Sequence, residues 1–279
     1  MFTLNCKGKI VVFDEPVVMG IINLTPDSFY SGSRHSTIED VLSQAGRMLQ
    51  DGAKILDLGG QSTNPGSVRI SVEEELNRVI PPLQAMMARF PDALISIDTY
   101  NSEVARNAID CGASIINDVS FGELDPNMLD VAASLHVPYI GMHMKGSPEN
   151  MQKNPKYDNV VSEVIDYLAQ KAEMCKQKGI IDLIIDPGFG FGKQLNHNYE
   201  LLYNLKALKI LEKPLLCGVS RKSMVQKVLN TDADHSLNGT TVLHTIALLN
   251  GASILRAHDV KEAVEAVKLV NAYKNAAPN

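Results

Sequence analysis

Eight short β-rich runs, each followed by a longer stretch of loop and helical character, decide what this chain can fold into. They read VVMGIIN (17–23), KILDLGG (54–60), LISIDT (94–99), SIINDVS (114–120), VPYIGMH (137–143), DLIIDPG (182–188), PLLCGVS (214–220) and SILRAHD (253–259). Runs made almost wholly of Val, Ile and Leu suit strands buried on both faces, the condition of a parallel sheet covered by helices. Between the first two, Ile38, Val41, Leu42, Ala45, Met48 and Leu49 recur at helical spacing and stop at Gly52. Ser71 with Glu74 three residues on has the form of a capping box. Further helices are expected near Ser102, Asp158, Asn198, Ser236 and Val260. Eight such units in 279 residues fit a (β/α)8 TIM barrel, with residues 1–16 left over as a short N-terminal hairpin closing its bottom. A doubly wound sheet is the second choice. No linker or repeat divides the chain, so 1–279 reads as a single domain.

Charge and cysteine usage exclude several classes of function. A net charge of −6 and a pI near 5.7 argue against a nucleic-acid groove, which needs clustered Lys and Arg. Cys6, Cys111, Cys175 and Cys217 show neither metal-ligand spacing nor a disulfide framework, and read as reduced thiols of a cytoplasmic protein. No apolar segment approaches the length of a membrane span, so no membrane partner is expected.

Chemistry in such a barrel gathers where the strands end, and there the chain is polar. Asn23, Asp98, Asn117 with Asp118, His143, Asp186, Ser220-Arg221-Lys222, and Arg256 with His258 close seven of the eight runs and are expected to face one cavity. Two carboxylates and an Asn match the donor and acceptor edge of a flat amidic heterocycle, whose hydrogen bonds would offset the cost of burying them. Lys222, Arg256 and His258 form a cationic group on the last two strands, where barrels often hold phosphate. The stretch DPGFGFGK (186–193) is not a nucleotide loop: Pro187 and Gln194 break the P-loop pattern, and its glycines are too closely spaced for the dinucleotide fingerprint. Two long segments, LTPDSFYSGSRHST (24–37) and QSTNPGSVRI (61–70), have the composition and length of lids.

MGIINLTPDSF, GGQSTNPGS, SIDT, IINDVS, DPGFGFGK, SRKS and RAHDV stand in the order and spacing of the dihydropteroate synthase family, which the chain resembles over nearly its whole length. The resemblance implies a barrel enzyme of folate synthesis, joining a pterin methyl diphosphate to p-aminobenzoate with loss of pyrophosphate by a dissociative route. It further implies that Asp98, Asn117, Asp186 and Lys222 bind the pterin, with Met142 against its face. Asn23, Arg256 and His258 would hold the diphosphate, Asn23 through Mg²⁺. Thr63, Pro65, Ser223 and Phe29 would serve the p-aminobenzoate side, with Phe191 in its wall. Asp98, Lys222 and Asn23 would carry catalysis, and the family association is a homodimer.

One departure stands out, since the second lid of the family usually reads Glu-Ser-Thr-Arg-Pro-Gly. Here Gln61 and Asn64 replace the charged pair, with Arg69 or Arg221 as candidates to compensate. Two other readings compete: a methyltransferase acting on a methylated folate, and a non-catalytic pterin-binding protein. The cationic SRKS and RAHD ends disfavour the first, because a methyl donor has no diphosphate to anchor. Retention of both Asp98 and Lys222 disfavours the second.

Overall fold

The computed structural model describes residues 1–24, 37–62, 67–147, 151 and 154–276. The chain opens with an antiparallel hairpin, β1 (Phe2–Cys6) and β2 (Lys9–Phe13), pairing Cys6 with Lys9. Lys7 and Gly8 turn it with φ of 54° and 85°, the two positive values that a tight hairpin turn demands. The barrel units follow in order: β3 (Val17–Asn23) and α1 (Ile38–Gln50), β4 (Ile55–Gly59) and α2 (Val72–Arg89), β5 (Leu94–Asp98) and α3 (Ser102–Asp110), β6 (Ile115–Asp118) and α4 (Met128–Leu135). Next come β7 (Tyr139–Met142) and α5 (Val160–Lys178), β8 (Leu183–Asp186) and α6 (Leu195–Tyr203) with a 3₁₀ turn at Leu205–Leu211, β9 (Leu216–Cys217) with α7 (Ser223–Leu229) and α8 (Leu237–Leu249), and β10 (Ile254–Ala257) with α9 (Val260–Asn275).

The eight barrel strands run parallel in the order β8-β7-β6-β5-β4-β3-β10-β9. The ends of that sheet meet at one bridge, Ile185 with Leu215, where Ile185 N–H donates to Pro214 O at 3.0 Å. The expected barrel and its hairpin are therefore present. α4 and α7, which the sequence reading does not name, have only 8 and 7 residues, too few turns for a helical period to show. The expected capping box at Ser71 is half made: its side chain accepts from Glu74 N, while the Glu74 carboxylate pairs with Arg78 at 2.5 Å. A full box stands at Thr37 and Asp40.

Strand parity sorts the core into two regions. Outward residues such as Val18, Ile22, Leu56, Leu58, Ile95, Ile97, Ile116 and Leu255 pack under the helices. Inward residues from the lower strand halves, Met19, Ile55, Ile115, Ile140, Ile184, Leu216 and Ile254, form a second apolar cluster, plugged from below by Leu4, Cys6 and Phe13 of the hairpin. Each such side chain contributes about 1.5–3 kcal/mol on burial. The lower barrel is thus a dry floor, and only the upper half is left for polar groups.

Candidate active site

Continuing the same parity upward places Asn23, Gly59, Asp98, Asn117, Met142, Asp186, Gly218 and Arg256 on the inner face at the C-terminal strand ends, with Asp57 and Ser96 one layer below. Two of these positions are glycines and leave room. A Cβ on Gly59 would stand 3.4 Å from Asp98 Cβ, and one on Gly218 would stand 3.6 Å from Lys222 Nζ and 3.9 Å from Asp186 Oδ2. The missing side chains therefore open a polar hollow between the acids and the cations.

Arg256 holds the centre. Its Nε donates to Asp57 Oδ2 at 2.6 Å and its Nη2 to Asp98 Oδ2 at 2.6 Å, while Asn117 Nδ2 donates to the same Asp57 oxygen at 2.9 Å. The remaining oxygens, Asp57 Oδ1 and Asp98 Oδ1, are buried and have no hydrogen-bond partner among the described residues. Such orphaned acceptors cost free energy unless a ligand donates to them. Burial pushes the Asp98 carboxyl up to about 7, with Arg256 opposing and Asp57 adding to the rise. Burial also works against the Arg256 charge, but Asp57 and Asp98 overcome it and hold its pKa above the ordinary value.

On the opposite side Asp186 ends β8, and its carboxyl is raised by burial against the pull of Lys222. Burial lowers Lys222 to about 8, with Asp186 opposing. Asp186 Oδ1 accepts from Gly188 N–H at 2.7 Å, and Lys222 Nζ donates to Phe189 O at 2.5 Å while lying 4.6 Å from the centre of the Phe191 ring. The Asp186–Lys193 loop is thus bound to the site at both ends. Its own Lys193 is buried, its Nζ 2.8 Å from His143 Nδ1 and donating to Gly188 O at 2.9 Å and Phe191 O at 3.1 Å. Gly188 could be no other residue: its φ is +71° and a Cβ would fall 1.9 Å from His143 O. Met142 and Phe191 belong to an apolar cluster with Tyr100, Val119 and Met144, a wall suited to the face of a flat ring.

Not every expected residue reaches this hollow. Asp118 follows Asn117 on the same strand and must face the other way. It accepts from Ser120 N and Oγ at 2.7 Å, Gly122 N at 2.7 Å and the Tyr139 hydroxyl at 2.7 Å, all behind the barrel wall. His143 packs edge-on against Tyr167 and is held neutral, its pKa lowered to about 2 by burial and then by Lys193. Arg221 turns out of line at φ 53° and pairs both arms with Asp259 at 2.7 and 2.8 Å. His258 stands exposed at the rim, its Nδ1 3.0 Å from Ser220 Oγ, and Ser223 is exposed at the start of α7.

Of the second lid, Gln61 and Arg69 are described; Thr63, Asn64 and Pro65 lie outside the described residues, as does Phe29 of the first lid. Gln61 serves its own loop: Nε2 donates to Ser62 O and Val68 O at 3.0 and 3.2 Å, and Oε1 accepts from Ile70 N–H at 3.0 Å. A glutamate there could accept but not donate, which gives the amide a structural use. Arg69 lies over the Tyr100 ring at 4.8 Å and donates to its hydroxyl at 3.3 Å. Two residues of the site escape the sequence reading: Asp57, in the middle of an apolar run, and Lys193. Asp57 carried a signal, since it shares strand parity with Gly59 at the strand end.

Residues 19–258 match the family model described as pterin binding enzyme. Dihydropteroate synthase of Escherichia coli (strain K12) is 46% identical over 279 residues, spanning 99% of this chain and 98% of the relative. A crystal structure of the Yersinia pestis dihydropteroate synthase with a sulfonamide drug complex superposes with a TM-score of 0.94 at 42% identity, covering 99% of this chain and 100% of that one. The Xanthomonas albilineans dihydropteroate synthase in complex with 7,8-dihydropteroate superposes with a TM-score of 0.88 at 38% identity, covering 99% and 100%. With similarity of this degree along the entire length, the chain belongs to the pterin binding enzymes and, among them, to the dihydropteroate synthases.

Proposed function

We propose that this chain condenses a 7,8-dihydropterin methyl diphosphate with p-aminobenzoate, giving 7,8-dihydropteroate and pyrophosphate. The observation that carries the reading is the arrangement of Asp98 and Asp186 with their unequal cationic partners. Asp186, Asn117 and Lys222 offer acceptors and donors to the edge of a pterin, Met142 offers it an apolar face, and Arg256 with His258 and Asn23 faces the diphosphate. Thr63, Pro65, Phe29, Phe191 and Ser223 would receive p-aminobenzoate. The route is dissociative: the methylene C–O bond breaks first, the electron pair leaves with pyrophosphate, and the aniline nitrogen then attacks the exocyclic methylene of the cationic pterin and loses its proton. Asp98, whose carboxylate is strained in its dry site, gains most when positive charge develops on the ring, while Arg256 gains when negative charge grows on the leaving group.

Among the described residues no group of three or more His, Cys, Asp or Glu could hold a metal ion. Asn23, inward at the end of β3, offers one amide oxygen, which fits a Mg²⁺ that draws its other ligands from diphosphate and water. Asn23 would hold that ion, which when bound neutralises charge on the leaving pyrophosphate. No described helix is long and apolar enough to cross a membrane; a cytoplasmic homodimer completes the proposal. Incubation with the pterin diphosphate, p-aminobenzoate and Mg²⁺ should release pyrophosphate and form dihydropteroate in equal amounts. Binding of the pterin without turnover would refute the reading.

A further inference from the structure

Asp57 belongs to none of the groups assigned a role above, yet it lies beneath two of them. It is fully buried on β4, in the inner layer it shares with Ser96. One of its oxygens, Oδ2, takes both the Arg256 Nε–H and the Asn117 Nδ2–H, while Oδ1 has no partner among the described residues. An ionised carboxylate can only accept. The edge of Asn117 turned toward Asp57 must therefore be its NH2 edge, which leaves the amide oxygen and one N–H for a ligand. The guanidinium is constrained in the same way. With Nε on Asp57 and Nη2 on Asp98, it keeps Nη1 and the second Nη2 hydrogen for an anion.

Stability gives no reason for an acid here. A buried ion pair is commonly matched or bettered by apolar side chains of similar volume, and the layer beneath is already apolar. We infer that Asp57 is a positioning residue that sets the hydrogen-bond polarity of the pterin side through Asn117 and the aim of the diphosphate side through Arg256. One carboxylate thereby links the two halves of the substrate site, an assignment that rests on the function proposed above.

The test uses Asp57→Asn, which keeps the shape but removes the charge and the obligation on Asn117 to donate. The full-length variant is titrated calorimetrically with 6-hydroxymethylpterin and, separately, with pyrophosphate plus Mg²⁺; the KM for p-aminobenzoate is taken from steady-state rates, and folding from near-UV dichroism and the Tm. Both dissociation constants should rise by at least about tenfold, the worth of one mis-set charge-assisted hydrogen bond, while the KM for p-aminobenzoate stays within about twofold. Asn117→Ala should weaken the pterin alone and Arg256→Lys the pyrophosphate alone, so only the Asp57 variant loses both. Unchanged binding of either ligand in folded Asp57→Asn, or an equal loss for all three, would overturn the inference. If the amide variant does not fold, Asp57→Ser answers the same question; if neither folds, the acid serves the barrel and the inference is wrong. Failure of the unaltered protein to bind pterin or release pyrophosphate would count against the proposed function instead.

Discussion

Replacing Asp98 by Asn should make the empty protein more stable in mild alkali and less active. Burial holds the Asp98 carboxyl at about 7 against an ordinary 3.8, despite Arg256 beside it. The folded chain therefore binds this proton more tightly than the unfolded chain. Stability attributable to Asp98 is full below about pH 4, falls as pH rises toward about 7, and is level above that. A gap of about three pK units makes the ionised form cost about 4 kcal/mol above neutrality. The amide of the Asp98→Asn variant mimics the protonated acid and escapes that cost, but it puts an N–H at the position of Oδ1, which has no hydrogen-bond partner among the described residues, at a penalty of about 1–3 kcal/mol. The two curves should cross. Urea unfolding of both proteins without ligand should find Asp98→Asn less stable by about 1–3 kcal/mol near pH 4, and more stable by about the same amount near pH 8. Turnover should fall far more than pterin binding, because the charge matters most as the ring becomes cationic. Parallel stability curves between these pH values would show that the site does not strain Asp98, and would remove the physical basis for its catalytic role.

Asn23→Ala should abolish the effect of Mg²⁺ on binding of the pterin diphosphate while leaving the bare pterin untouched; titrations with and without a chelator check this, and a surviving Mg²⁺ effect would exclude Asn23 as the ligand. Two glycines of the Asp186–Lys193 loop should behave differently. Gly188→Ala drives a Cβ to 1.9 Å from the backbone oxygen of His143 and should cost well above the ~1 kcal/mol of an unfavourable φ, read as a large drop in Tm. Gly190→Ala meets only the Lys222 Cδ at 3.3 Å, so it should cost about 1 kcal/mol in stability yet weaken pterin binding by displacing that lysine. Equal Tm losses for the pair would contradict the geometry.

The barrel was legible because its strands are buried on both faces, and burial on both faces leaves a compositional trace in every run from VVMGIIN to SILRAHD. The strand-end rule located Asp98, Asn117, Asp186 and Arg256 because a polar residue closing an apolar run is easily seen. It failed where only parity decides. Asn117 and Asp118 are neighbours, so no more than one can face inward, and the tight turn at Ser120–Gly122 claims the other. Asp57 escapes that rule because it does not close its run, although it sits two residues before an inward glycine. The bidentate pairing of Arg221 with Asp259 depends on a left-handed backbone that nothing nearby in the sequence announces. Short helices such as α4 and α7 are fixed by the strands they connect, not by a pattern of their own.

The pairing of Arg256 with Asp57 reaches across 199 positions of the chain, and this bears on how the molecule is made. Synthesis delivers the chain from its N-terminus, so β4 and β5 can pair with β3 long before β10 exists. Throughout that interval Asp57 and Asp98 have no guanidinium between them, and burying two acids without a cation is costly. Arrival of β10 between β3 and β9 delivers the cation and closes the wall together. Catalytic competence is accordingly among the last properties the growing polypeptide acquires, and a chain stopped before Arg256 would lack both the strand that closes the wall and the cation its acids need.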